Sequence, residues 1–235
     1  VIHKGYALGT SYSVQYAPIK HSYEKVQKGL DSLFEVLNQS LSTYVPDSDI
    51  SKINRGDSLL VVDEHFENVY AMASAVWKKT NGYFDPTVRA LVNAYGFGPS
   101  GPTRIDSVRV DSLMNYVGMD KVHIDNDRLE TDRTGIVFDF NAIAQGYTVD
   151  LLAEFLDGKG VSDYLVEVGG ELRAKGVNLE GRVWRVGIDK PTKERGEDPF
   201  QAIVALPGKS LATSGNYRKF RVDEATGQKY VHTVD

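Results

Sequence analysis

FDFNAIAQGYTVD, residues 138–150, decides how the chain is built. An apolar strand ends on the carboxylate of Asp139, and a helix then opens through Asn141, Ala142 and Gly146. An ordinary strand-to-helix turn is one reading; a strand that delivers a carboxylate to the edge of a site is the other. Upstream, Val26, Leu30, Leu33, Phe34, Leu37 and Leu41 recur at steps of three and four, which predicts a helix starting near Ser22. Phe66, Val69, Tyr70, Ala73, Val76 and Trp77 form a second such stripe, ended by Asn81-Gly82, two residues that tolerate left-handed backbone. A loosely alternating stretch from Gly5 to Ala17 reads as a strand, and STYVPDSDISKINRG reads as a polar, turn-rich loop. GFGPSGP reads as a loop or hinge.

Downstream of Lys121 the apolar runs are short and turn-bounded. VHI, IVFDF, YLVEV, WRVGI, AIVAL and YVHTV read as strands, with one helix from about Ala142 to Leu156 between the second and third. Helices dominate the first half and strands the second, without regular βαβ alternation. The expected fold is therefore α+β, a mixed or antiparallel sheet core with helices packed outside, as one domain over residues 1–235.

At 235 residues, 41% hydrophobic and 25% charged, the chain can bury a sizeable core. A net charge of −5, with no Lys/Arg-rich block, removes the usual electrostatic footprint for nucleic acid, so small-molecule or protein partners are expected. No stretch reaches the roughly 18 apolar residues of a membrane span. The chain opens with neither Met nor a signal-like apolar run, which suggests a mature or trimmed form. The absence of cysteine excludes disulfides, thiolate nucleophiles and Cys-ligated zinc. The five histidines are scattered, so any metal is expected to be a hard, oxygen-bound ion.

Several segments break the patterns around them. In YLVEVGGELRAKG, Gly169-Gly170 inside a strand implies either a bulge or close approach by a ligand. Thr213-Ser214-Gly215 clusters hydroxyls and backbone N–H groups that either cap a turn or bind phosphate oxygens. Asp85 precedes a proline in GYFDPTV, which fixes its direction whether it starts a turn or meets a ligand. Tyr44 lies in a polar loop, free to pack or to stack on a planar ligand.

In their order along the chain, GTSYSV, LSTYVPDSDISKIN, GYFDPTV, FDFNAIAQGYTVD, VEVGGELRAKG, WRVGIDKP, ATSGNY and HTVD resemble the ApbE-type FAD:protein FMN transferases from Gly5 to Asp235. The resemblance implies Mg2+-dependent cleavage of FAD at its pyrophosphate, transfer of FMN to a threonine hydroxyl of an acceptor flavoprotein, and release of AMP. It implies that Asp139 and Gln145 contact FAD and that the Ala142 carbonyl is a Mg2+ ligand. Tyr44 matches a stacking position, where relatives with Asn behave as FAD hydrolases. Leu8, Tyr83, Phe84 and Asp85 would line the flavin or adenosine pocket, and Gly169, Gly170 and Ser214 would approach the phosphates and ribose. His232 matches a histidine near the reacting phosphate, with a reference pKa near ~6.5 suited to proton transfer. Asn141-Ala142 stands where relatives carry Gly-Gly or Ser, and neutral Gln145 where they carry Lys or Glu.

The resemblance implies that the chain continues past HTVD into a DP-x-TG turn and a further segment supplying an Asp and a Thr to the metal, so the site is expected to need chain beyond Asp235. Family members are commonly exported and tethered by a lipidated cysteine, which implies a periplasmic lipoprotein at the bacterial inner membrane. Two other functions remain open, an FAD pyrophosphatase giving FMN and AMP, and a non-catalytic FAD-binding protein.

Overall fold

The computed structural model describes residues 1–97, 105–191, 199–215, 220–222 and 227–231. Along the chain run β1 (Ile2–Ala7), β2 (Thr10–Tyr16), α1 (Tyr23–Leu41), α2 (Asp49–Asn54), α3 (Glu64–Lys79), α4 (Arg89–Val92) and α5 (Ser107–Met114). There follow β3 (Val122–Asp125), β4 (Arg128–Thr131), α6 (Asn141–Gly158), β5 (Tyr164–Val168), β6 (Glu171–Lys175), β7 (Arg185–Asp189), β8 (Phe200–Ala205), β9 (Ser210–Leu211), β10 (Phe220–Val222) and β11 (Lys229–Val231). Two compact units divide the chain: Val1–Asn38 with Ala144–Gly215, and Gln39–Ile143 with Asn216–Asp235.

The first unit is built on an antiparallel sheet ordered β1-β2-β5-β6-β9. Side chains alternate across a strand, so Tyr12, Val14 and Tyr16 share a face with Tyr164, Val166 and Val168. That face packs on Val26, Leu30 and Phe34 of α1 and on Val149, Leu152, Ala153 and Leu156 of α6. The opposite face, through Leu165, Leu172, Ala174 and Leu211, meets Trp184, Val186, Val204 and Leu206 around the β7–β8 hairpin. Ser22 starts α1 where expected, its Oγ accepting from the Lys25 N–H at 3.3 Å.

In the second unit Asp63 caps α3 by accepting from the Phe66 N–H at 2.8 Å, while Ser40 Oγ donates to the same carboxylate at 2.7 Å. Phe66 on α3 meets Phe140 edge-on, with ring centroids 5.3 Å apart, and Phe138 follows at 6.0 Å from Phe140. Asn81 and Gly82 end the helix with positive φ, as expected.

The α+β expectation, an antiparallel sheet with helices packed on it, matches the structure, but four local readings change. Gly5–Ala17 is not one strand but a hairpin, because Leu8-Gly9 takes positive φ and turns the chain between Ala7 and Thr10. Gly169-Gly170 is likewise a two-residue turn joining β5 to β6, not a bulge within a strand. The polar 42–56 stretch contains α2, whose N-cap Ser48 accepts from the Ser51 N–H at 3.2 Å. IVFDF joins no ladder among the described residues; an isolated parallel bridge links its Val137 to Val88. Most of GFGPSGP, and the end of YVHTV from His232 on, lie outside the described residues.

Leu30 is fully buried in the first unit's core whereas Leu33 is only partly so. Leu30→Ala is expected to cost about 2–5 kcal/mol and Leu33→Ala distinctly less, measured by denaturant unfolding of each variant.

Candidate functional site

Two groups of residues flagged by the sequence take shape, one in each unit. In the first, the Leu8-Gly9 and Gly169-Gly170 turns stand at the same end of the sheet, because Tyr12, three residues past the first turn, pairs with Val168 at the edge of the second. The Gly169 N–H donates to the Ser11 carbonyl at 3.0 Å, tying the two turns together. Leu8 holds φ at +52°, a left-handed value that costs a residue with a side chain more than it costs glycine. Gln145, in the second turn of α6, lies against Gly169: a Cβ there would fall 2.5 Å from Gln145 Nε2 and 2.9 Å from Thr10 Cγ2. Gly170 faces open space, and its N–H donates to Glu167 Oε1 at 2.9 Å. The Leu172–Leu211 pairing runs β9 back toward this end, so exposed Ser214 follows in that direction. Leu8, Gln145, Gly169 and Gly170 are therefore brought together.

Glu171, which sequence reasoning passed over, follows that turn. Its Oε2 is buried without a hydrogen-bond partner among the described residues. Burial, joined by the negative charge of Glu167, pushes its carboxyl above the ordinary glutamate value.

In the second unit the segment Val137–Asn141 runs beside Pro86–Val88, and the Asp139 N–H donates to the Pro86 carbonyl at 2.8 Å. Arg89 Nη1 donates to Asp139 Oδ2 at 2.5 Å, while Asp139 Oδ1 accepts from the Asn141 N–H at 2.8 Å and so steadies the start of α6. Asp85 is 8% exposed, and its carboxylate works inside the fold. It accepts from the Thr87 N–H at 2.8 Å, from Thr87 Oγ1 at 2.5 Å and from the Met119 N–H at 3.0 Å. Tyr44 and Tyr83, at 68% and 87% exposed, present their rings to solvent, with Phe84 half-buried beside Tyr83. Ala142 is exposed in the first turn of α6. His232 lies outside the described residues.

Asn54 and Arg89 are the other residues that sequence reasoning missed. Arg89 sits one residue past the flagged GYFDPTV, and its pairing with Asp139 across 50 positions leaves no local signal. Among the described residues no group of three or more His, Asp or Glu side chains is arranged to hold a metal. With Asp139 tied to Arg89 and to the α6 start, the described residues do not by themselves fit Mg2+, which keeps octahedral oxygen coordination. No helix among them is long and apolar enough to cross a membrane.

The fold is an α+β domain in which Leu8, Gly9, Gly169 and Gly170 form tight turns at one end of an antiparallel sheet. The model of the ApbE family matches residues 8–235. A Haemophilus influenzae protein named FAD:protein FMN transferase is 32% identical, the alignment covering 98% of this chain and 69% of the relative. A Vibrio cholerae protein of the same name is 34% identical over 98% of this chain and 70% of the relative. Among solved structures, the flavin transferase ApbE from Vibrio cholerae has a TM-score of 0.85 at 32% identity, covering 100% of this chain and 75% of that one. The apo form of Pseudomonas stutzeri flavinyl transferase ApbE has a TM-score of 0.86 at 32% identity, over 100% of this chain and 73% of that one. The chain belongs to the ApbE family.

Gly169→Ala and Gly170→Ala both place a side chain at positive φ, but only the first also drives a Cβ into Gln145 and Thr10. Gly169→Ala is expected to be the more destabilising by about 1–3 kcal/mol, read from paired urea melts. Because the folded state favours the protonated form of Glu171, the stabilisation tied to that form is complete below the ordinary glutamate range and is lost as pH rises through the raised value. Glu171→Gln should therefore melt higher than the parent at neutral pH, the gap closing as pH falls through that window; a gap constant with pH would contradict this.

Proposed function

We propose that the chain transfers FMN from FAD to a threonine hydroxyl of an acceptor flavoprotein and releases AMP. The observation that carries this reading is the family match over residues 8–235, joined by relatives named FAD:protein FMN transferase. In this reaction the threonine oxygen forms a bond to the FMN phosphorus as the anhydride P–O bond breaks. AMP leaves with the electron pair, and the hydroxyl proton passes to a base. Such a displacement needs positioning and charge neutralisation more than covalent work by the protein.

The residues divide accordingly. Exposed Tyr44 and Tyr83 offer ring faces to the planar parts of FAD. The Leu8-Gly9 and Gly169-Gly170 turns, with Ser214, offer backbone and hydroxyl groups to phosphate and ribose. Gln145 adds an amide without charge, and Asp139 accepts a hydrogen bond from FAD. Asp85 acts by shaping the 83–87 turn, since its own oxygens are engaged within the fold. His232 is the proposed proton acceptor, on the strength of the resemblance.

Magnesium dependence rests on the resemblance as well, with the Ala142 carbonyl as one ligand. It predicts that activity is lost on chelation and returns when Mg2+ is added. We further propose that the protein works on the periplasmic side of the bacterial inner membrane, as a lipoprotein. An FAD pyrophosphatase is disfavoured by the aromatic residue at position 44.

The test incubates the protein with FAD, Mg2+ and an acceptor flavoprotein. A mass gain of one FMN on an acceptor threonine with equimolar AMP is expected. FMN and AMP without acceptor labelling would instead mean a hydrolase, and bound FAD without AMP a binding protein. Tyr44→Asn should lose acceptor labelling and gain free FMN.

A further inference from the structure

Asn54, the last residue of α2, reaches across 84 positions of sequence to the main chain beside Asp139. Its Oδ1 accepts from the Phe138 N–H at 2.7 Å, and its Nδ2 donates to the Phe138 carbonyl at 2.9 Å. A side-chain amide that pairs with both polar groups of one residue imitates a neighbouring β-strand. It does so where a strand-like segment has no ladder of its own among the described residues. On the next residue the Asp139 N–H donates to Pro86, so the two consecutive peptides are fixed from two different elements.

The other end of α2 is tied to Tyr44. Ser48 Oγ donates to the Ser42 carbonyl at 2.7 Å and Ser51 Oγ to the same carbonyl at 3.4 Å, while Ser42 Oγ accepts from the Tyr44 N–H at 3.3 Å. A six-residue helix thus braces the loop of one proposed FAD contact at its start and the ladder-free segment of another at its end.

Resting on the reading of Asp139 as an FAD contact, we infer that Asn54 is a positioning residue for the Asp139 carboxylate, acting through the Phe138 main chain. Phe138 is fully buried, so without the amide its N–H and C=O lose their partners where water does not easily replace them. The segment must then shift to recover hydrogen bonds, and Asp139 shifts with it. Arg89 still holds the carboxylate's direction relative to α4, so the expected damage is displacement of the acceptor and not loss of its charge.

A double-mutant cycle tests this. FAD affinity is measured by flavin fluorescence for the parent, Asn54→Ala, Asp139→Ala and the double variant, with thermal melts recorded alongside. Asn54→Ala is expected to weaken FAD binding roughly five- to tenfold, the worth of one or two hydrogen bonds, and by less than twofold once Asp139 is already alanine. Equal losses in both backgrounds would make Asn54 a structural brace only, overturning the inference while leaving the Asp139 assignment intact. An unchanged FAD affinity in Asp139→Ala would remove both. Should Asn54→Ala fail to give a cooperative melt, Asn54→Asp runs the same cycle. It keeps the acceptor for the Phe138 N–H but cannot donate to the carbonyl, and the same Asp139-dependent loss, smaller in size, is required.

Discussion

A main-chain segment that is buried without joining a sheet must still find partners for its N–H and C=O groups. Phe138 and Asp139 meet that demand through the side-chain amide of Asn54 and the carbonyl of Pro86. Much of the second unit follows from this. The segment can be extended between two fully buried phenylalanines, Phe138 and Phe140, and Phe140 can meet Phe66 of α3. It ends at a carboxylate that receives the first N–H of α6, so the same stretch that fills a core also launches a helix.

The first unit solves a different problem, how to turn tightly at one end of a sheet. Leu8-Gly9 and Gly169-Gly170 both take positive φ, as two-residue hairpins demand. Glycine serves three of the four positions at low cost, and Leu8 is the exception. Leucine pays more than glycine for that left-handed backbone, and nothing local in the sequence signals the turn. Glu171, partly buried beside the second turn with one oxygen that has no partner among the described residues, is a further departure from ideal folding there.

What the sequence made legible was what local periodicity encodes. The stripes of α1 and α3, the Ser22 and Asn81-Gly82 boundaries and the small residues opening α6 appear because each depends on neighbours within a few positions. The hairpin at Leu8-Gly9 was hidden because leucine carries no turn signal, and IVFDF looked like a strand because it is extended and apolar. Its missing ladder is a tertiary fact, supplied by Asn54 from 84 residues away. The candidate site divides in the same way. Gly169, Gly170, Gln145 and Leu8 were named in advance and are close together, whereas the partners of Asp139 and Asp85, namely Arg89, Thr87 and Met119, emerge only from folding.

Everything proposed for this chain requires that it take up FAD at its tight turns and the short loops flagged beside them. Hydrogen–deuterium exchange with and without FAD tests that uptake most directly. FAD is expected to slow exchange at the main-chain amides of residues 8–10, 43–45, 83–85, 139–145 and 169–171, each in an FAD-concentration-dependent way. Unchanged exchange at these turns, or slowing confined to other surfaces, would contradict it.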